Sequence, residues 1–360
     1  MAKKPTEVSI PVQNIYYLLS YAWDYINEAE TIGVGTEDYN GLLDLFAKAL
    51  SQGTTRLLSR GLDRDYVVIQ EDIRGIKGKL NFEPTLKRFL LRSGKTNCSF
   101  DELSYDIPQN QILKATLRNL TWVESISTEH KQQCARLYKK FVGVSDVSLS
   151  SNLFRSVRIH RNNRFYRFLI DICHFIFEHQ LVNKDNEDDV FWHFVENQMG
   201  KLFETFVKKF SEHHTSCEVS SPHIYWLEKN DREADNPHLP IMKTDIVLTS
   251  PEHTIIIDTK FYQKPLAEPQ HRGSDSKFHS ENLYQIYAYA MNWVEDHASM
   301  DHQQETWLLY AAADKKKVFD YRFQLSGKQF RVCSIDLSQN WKIIEKNLIE
   351  LLNNRAENKR

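Results

Sequence analysis

Apolar residues recur at helical spacing at Ile15, Leu18, Leu19, Ala22, Trp23 and Ile26, which predicts an amphipathic helix over 12–28. Pro11 stands at its start, where a missing N–H costs nothing. Gly33 and Gly35 close that region, and a second helical pattern runs over 42–58 to Gly61. A short β-rich run at 66–69 leads into the turn residues Arg74, Gly75, Ile76 and Gly78, then a helix through 89–92. The same periodicity predicts helices over 103–123 and 129–141. A small, polar stretch at 145–152 and an Arg/His/Asn loop at 158–164 then mark a seam.

Beyond the seam, 165–181 reads as a strongly apolar helix, 183–189 as a solvated acidic loop and 190–210 as a further helix. The pattern then changes to short apolar runs, predicting strands at 224–227, 245–249 and 254–261. A helix over 281–294, strands at 307–311, 321–325 and 330–335, and a helix over 340–353 complete the chain. The expected class is α+β: a mostly helical N-terminal domain with a short β element over 1–155, then an α/β domain with a mixed central sheet over 156–360.

Composition narrows the setting. The chain has 360 residues, 41% hydrophobic and 26% charged, enough for two domains with their own cores. No apolar run approaches the roughly 20 residues that span a bilayer, so no membrane association is expected. Residues 1–7 are charged, read as a frayed tail, and lack the apolar segment of a secretory signal. Cys98, Cys134, Cys173, Cys217 and Cys333 are odd in number and scattered, which fits a reducing cytoplasm. The net charge of −2 is unusual for a protein that grips DNA alone, because release of condensed counterions rewards a positive excess. A nucleic-acid role therefore needs a local groove or a partner that delivers the substrate.

The chemistry concentrates between 244 and 260. Two apolar β runs flank the polar turn Ser250-Pro251-Glu252-His253, which reads as an antiparallel hairpin. Centring the turn between Pro251 and Glu252 sets Asp245 directly opposite Asp258, with Cβ atoms about 4.5–5.5 Å apart. Lys260, two residues on, shares their face. Facing carboxylates destabilise a sheet unless something cationic lies between them. Two carboxylates beside an ammonium make a site for a hard cation such as Mg²⁺, with the Thr259 carbonyl as a further oxygen ligand. Lys260 would orient or deprotonate an attacking water, or stabilise charge on a five-coordinate phosphorus. An ordinary cross-strand ion pair is the competing reading.

Further residues join this constellation. Glu204, on the helix Lys201-Leu202-Phe203-Glu204, would bring a third carboxylate to the metal or simply face solvent. Gln285 and Tyr289, at i and i+4, share a helix face that would buttress Lys260, touch a DNA phosphate, or serve as core and cap. Lys264, Arg272, Lys277 and His279 form a prospective phosphate-contacting rim. His213, His214 and Cys217 lack a fourth ligand at useful spacing and read as surface residues. Ser93-Gly94-Lys95-Thr96 imitates the end of a phosphate-binding loop, but Phe89 stands where the first glycine belongs.

The pattern D-x12-D-x-K, with an upstream helical Glu and a downstream Q-x3-Y, resembles the RecB-like branch of the PD-(D/E)xK nucleases. Four longer stretches narrow it: Ile10 to Leu19 with Tyr21-Ala22-Trp23, Gly75 to Lys79, Asn110 to Leu117, and Phe278 to Gln285. Together they resemble the McrC family, nuclease subunits of McrBC modification-dependent restriction systems, over nearly the whole chain. The resemblance implies a restriction-endonuclease-like C-terminal domain with Asp245, Asp258 and Lys260 in the catalytic roles and Mg²⁺ as cofactor. It also implies an N-terminal domain that plugs into a hexameric ring of an McrB-like AAA+ GTPase and stimulates GTP hydrolysis, with no nucleotide bound by this chain. The ring would recognise double-stranded DNA containing methylated cytosine. One departure is visible: Thr244 stands where the superfamily places Pro.

Two sequence features bear on the partner. The turn with Arg74, Lys77 and Lys79 is an expected contact with the ring. Tyr16, Tyr17, Tyr21, Trp23 and Tyr25 put aromatics on more than one helix face, through either a partner interface or packing within the domain. Two other functional readings stand beside the nuclease subunit: an assembly factor and GTPase activator with a decayed site, and a stand-alone repair nuclease. Intact Asp245, Asp258 and Lys260 argue against the first, and the net charge against the second.

Overall fold

The computed structural model describes residues 10–32, 39–159, 163–182, 187–227, 236, 238–262, 277–294, 302–312 and 318–353. The tail expected over 1–7, Gly33, Gly35 and the start of the acidic loop at 183–189 lie outside these residues. The chain forms two compact units, one from 1–29 with 186–360, the other from 30–185.

The first elements are α1 (Val12–Ala22) and α2 (Ile26–Ile32). There follow α3 (Leu42–Arg60), β1 (Asp65–Arg74), β2 (Lys79–Leu80), α4 (Phe82–Lys87), β3 (Lys95–Ser104), α5 (Pro108–Leu120), α6 (Thr128–Tyr138), α7 (Ser151–Ser156) and α8 (Arg164–Val182). The C-terminal half adds α9 (Glu187–His214), β4 (Glu218–Ser220), β5 (His223–Ile224), β6 (Met242–Lys243), β7 (Ile246–Ser250) and β8 (His253–Phe261). It closes with α10 (Ser280–Asn292), β9 (Gln303–Ala312), β10 (Asp320–Leu325), β11 (Lys328–Asp336) and α11 (Trp341–Asn353).

The unit over 30–185 is helical around α3, α5, α6 and α8, with an antiparallel sheet in the order β1-β3-β2. Gly53 lets α3 approach α8 closely, since a Cβ there would lie 2.5 Å from Leu169 Cδ2. The turn between β1 and β2 folds back on β3: Gly78 has φ +68° and its Cα abuts the Ser99 carbonyl and Phe100. Thr96 Oγ1 donates to the Gly75 carbonyl, and Lys77 Nζ sits 3.7 Å from the centroid of Phe100. Buried Asn97 ties this end together, accepting from Gln70 and Asn81 and donating to Asp72.

The other unit is built on a mixed sheet, order β10-β11-β9-β8-β7-β4, with parallel pairs β8–β9 and β9–β11. Helix α10 covers one face, where Ile286 and Ala290 pack on Leu308, Tyr310, Phe330 and Val332. Tyr289 meets Val247 and Ile256 on the same face. Helix α9 packs on β8, β7 and β4, and α1 packs on α9 and α11.

Several expectations need correction. The boundary expected between 155 and 156 is displaced, because α8 packs on α3 and α5 while α1 packs on α9 and α11. The apolar stripe of α1 finds its cover almost 200 residues downstream, a distance that periodicity does not encode. The helix expected over 12–28 breaks at Asp24, whose φ is +61°; Trp23 N bonds to Leu19 O and Tyr25 N to Ser20 O. The short strand at 66–69 is a full β1, because β3 pairs with it from Asp65↔Ser104 to Arg74↔Lys95. Residue 103 accordingly belongs to β3, and α5 begins at Pro108. Residues Leu90–Ser93 form a 3-10 turn after Phe89, whose φ of +52° ends α4.

Candidate active site

Along β7 and β8 the register runs from Ser250↔His253 to Ile246↔Ile257. One step further sets Asp245 against Asp258, the pairing the turn predicts. Strand alternation puts Asp245, Asp258 and Lys260 on the face that carries Val247, Ile256 and α10. Asp258 is 0% exposed, on a strand flanked by both β7 and β9. Asp245 and Lys260 are half-buried.

Hydrogen bonds hold each group. Asp245 Oδ2 accepts from Thr259 N at 2.7 Å and Thr259 Oγ1 at 2.9 Å. Lys260 Nζ stands 2.6 Å from Asp258 Oδ2 and donates to Gln285 Oε1 at 3.1 Å. Gln285 Nε2 donates to Tyr289 OH at 2.7 Å, and that hydroxyl donates to the Lys243 carbonyl at 2.7 Å. The i, i+4 pair on α10 thus buttresses the lysine, and Tyr289 links the line to the segment just before Asp245.

Two contacts not foreseen from the sequence fix the backbone at Asp245. Ser221 Oγ donates to the Asp245 carbonyl at 2.5 Å and accepts from Lys208 Nζ at 2.8 Å. Thr244 donates to the Pro222 carbonyl through both N, at 3.4 Å, and Oγ1, at 2.7 Å. Threonine thereby restrains by hydrogen bonding a position where proline restrains by its ring. Lys208, four residues after Glu204, was legible as a helical neighbour; Ser221 carried no signal.

The electrostatics are those of crowded carboxylates. Burial, then the nearby Asp245 charge, pushes the Asp258 carboxyl up to about 6, against the opposing pull of Lys260. Burial and Asp245 also raise Glu204, so its half-buried side chain feels the same charge. Burial pushes the Tyr289 hydroxyl up to about 12.

An oxygen-seeking cation fits this donor set. Neither carboxylate oxygen of buried Asp258 accepts an aligned hydrogen bond, despite the close Lys260, and two repelling acids lie side by side. Among the described residues, though, no three His, Cys, Asp or Glu side chains converge as a ready-made metal cluster. Glu204 stands within electrostatic reach of both Asp245 and Asp258.

The remaining candidates disperse. Lys264 and Arg272 lie outside the described residues; Lys277 is exposed, and His279 packs on Tyr262 with ring centroids 5.0 Å apart. His213 and His214 are not idle surface groups: they bond to Asp24 at 2.9 Å and to Tyr21 OH at 2.8 Å, joining α9 to the α1 segment. Tyr16, Tyr21 and Tyr25 are buried, and Tyr17 stacks on Trp341 at 4.7 Å, so packing within the unit accounts for them. Arg74, Lys77 and Lys79 are exposed around the β1–β2 turn. Strand β3 follows Ser93-Gly94 instead of leading into it, so a phosphate-binding loop is not formed there.

The mixed sheet carries Asp245, Asp258 and Lys260 on the face covered by the Gln285–Tyr289 helix. Comparison with known proteins is more specific. The model of the family described as "McrBC 5-methylcytosine restriction system component" matches residues 6–311. The chain is 31% identical over 345 residues to the Type IV methyl-directed restriction enzyme EcoKMcrBC of Escherichia coli K12, covering 95% of this chain and 97% of that one. It belongs to the family of McrBC 5-methylcytosine restriction system components. Its fold is also similar to a chain in the assembly of Thermococcus gammatolerans McrB AAA+ hexamers with bound McrC. That match has a TM-score of 0.58 and 16% identity, and covers 98% of this chain and 78% of that one. Among the described residues no helix is long and apolar enough to cross a membrane.

Proposed function

We propose that this chain is the DNA-cleaving subunit of a cytoplasmic, modification-dependent restriction complex. It hydrolyses phosphodiester bonds with Mg²⁺ and stimulates GTP hydrolysis by an McrB-like AAA+ ring that selects DNA containing methylated cytosine. The observation that carries the reading is the hairpin register, which sets Asp245 against Asp258 with Lys260 beside them.

Asp245, Asp258 and the Thr259 carbonyl would hold the ion; Thr259 N–H faces Asp245, and N–H and C=O of a strand residue leave the same edge. When bound, Mg²⁺ supplies positive charge that offsets the negative charge gathering on the phosphate and acidifies water. Lys260 keeps its amine at the carboxylates and meets the same charge from the protein side. Gln285, itself anchored by Tyr289, fixes the direction of that amine. Thr259, Ser221 and Thr244 hold Asp245 in register without touching substrate.

The unit over 30–185 is read as the partner-binding, GTPase-activating part. It leaves Ile76 69%, Phe82 68% and Phe89 65% exposed at and just after its basic turn, and Tyr66 70% and Val68 68% at the other end of β1. Apolar surface in that amount marks an interaction site. The Thermococcus assembly, in which McrC is bound to McrB AAA+ hexamers, supports a ring as that partner.

The test reconstitutes the chain with its AAA+ partner, GTP, Mg²⁺ and methylated DNA. Asp245→Ala lowers cleavage by about 10²-fold or more, while stimulation of GTP hydrolysis survives. Undiminished cleavage by that variant would place the metal elsewhere.

A further inference from the structure

The chemistry above leaves one surface unused. A groove of about 430 Å³ opens beside the lysine line. Gln285, which accepts from Lys260, forms part of its wall, together with Trp226, Ile241, Met242, Lys243 and Ala288. Clefts that hold ligands span about 300–1,000 Å³.

We propose that this groove receives unstacked bases of the DNA strand adjoining the scissile phosphate, and holds them by stacking without reading their identity. The proposal rests on the nuclease reading and extends it to the substrate.

The hydrogen-bonding inventory of the walls carries the argument. Trp226 Nε1 donates to the Pro240 carbonyl at 2.8 Å, so the half-exposed indole offers its ring surface and no donor. Tyr289 OH is taken by Gln285 and the Lys243 carbonyl, and Gln285 Oε1 by Lys260. With these groups engaged inside the protein, the groove presents mainly ring and methyl surface, with Lys243 as its charged member, and such apolar surface satisfies every base equally. The wall is also preformed: Leu227 N donates to Asn292 Oδ1, pinning the Trp226 segment to α10.

Charge and continuity favour a polyanion over an apolar polypeptide. Lys243 is exposed at the groove and Lys260 adjoins it through Gln285, supplying phosphate-directed charge at its edge. Tyr284, 73% exposed, lies four residues before Ala288 and extends the apolar surface along α10. A large, bare aromatic beside a basic rim suits a flexible strand whose bases have left the duplex stack.

The test uses the full chain in EDTA, so that nothing is cut. Fluorescence anisotropy compares a labelled single-stranded oligonucleotide with an abasic one of equal length and charge. The native protein binds the base-bearing strand about tenfold more tightly. Trp226→Ala and Ala288→Glu abolish that difference, and Trp226→Phe retains it; thermal melting confirms that each variant is folded. Equal affinity for the two strands would overturn the proposal and leave the groove to a protein partner. Discrimination that survives both Trp226→Ala and Ala288→Glu would also overturn it, by moving the bases elsewhere. Because binding is read without cleavage, the failures separate: Asp245-dependent cutting without base discrimination sinks only the groove, and discrimination without Asp245-dependent cutting sinks only the catalytic assignment.

Discussion

Lys260 Nζ lies 2.6 Å from Oδ2 of Asp258, a side chain with no solvent exposure, yet neither oxygen of that carboxylate accepts an aligned hydrogen bond. The ion pair relieves the buried charge only in part, since Asp245 stands across the hairpin and pushes the other way. A site in this state is stabilised by either a proton or a cation.

The proton side of that balance is measurable in metal-free protein. The folded value of about 6 lies above the ordinary value of 3.8 for an Asp in the unfolded chain, so protonation favours the folded state. That contribution is full below the unfolded value and is lost as pH rises through about 6. Asp258→Asn mimics the protonated form. It is expected to raise stability at pH 8 by about 1–3 kcal/mol and to change little at pH 4, as measured by urea unfolding at both values. An equal effect at both would show that Asp258 does not titrate in this range.

The lysine and its buttress separate by magnitude. Lys260→Ala removes a group from the reacting phosphate and lowers cleavage by about 10²–10⁴-fold. Gln285→Ala leaves the amine in place but unaimed, and lowers cleavage by about tenfold. Single-turnover cleavage with the partner and GTP present checks both; equal losses would mean that Gln285 acts on the reacting phosphate directly and not through Lys260.

Gly78 reports on the other unit. A side chain there meets the Ser99 carbonyl at 2.5 Å and Phe100 Cβ at 2.8 Å, in a backbone conformation with φ +68°. Gly78→Ala is expected to cost about 1–3 kcal/mol and to loosen the turn bearing Arg74, Lys77 and Lys79. Stimulation of the partner's GTP hydrolysis should fall. Unchanged stimulation would remove this turn from the ring contact.

The N-terminal helix serves the sheet. Tyr21 is buried against Phe206 and Phe210, with its hydroxyl bonded to His214. Tyr21→Ala is expected to destabilise the unit carrying Asp258 by about 3 kcal/mol or more. Hydrogen exchange at β8 and β9 reads the effect there; a loss confined to residues 30–185 would contradict the packing.

Much of this was written locally. A strand period of two and a four-residue turn were enough to set Asp245 opposite Asp258, because a tight turn fixes the register of the two strands it joins. The i, i+4 spacing likewise put Gln285 and Tyr289 together on α10. Strand β3 was not legible, since it owes its form to ten paired residues of β1 and not to its own weak alternation.

What the sequence by itself determined is therefore the inner geometry of each element: which side chains share a face, and which turn brings two carboxylates together. The tertiary structure alone decided that α1 joins the distant sheet and α8 the helical unit, and that Ser221, Lys208 and Thr244 secure Asp245. The physical reason is range. Backbone sterics and side-chain period act over a few residues, whereas burial of an apolar stripe is satisfied by whatever surface the folded chain brings to it.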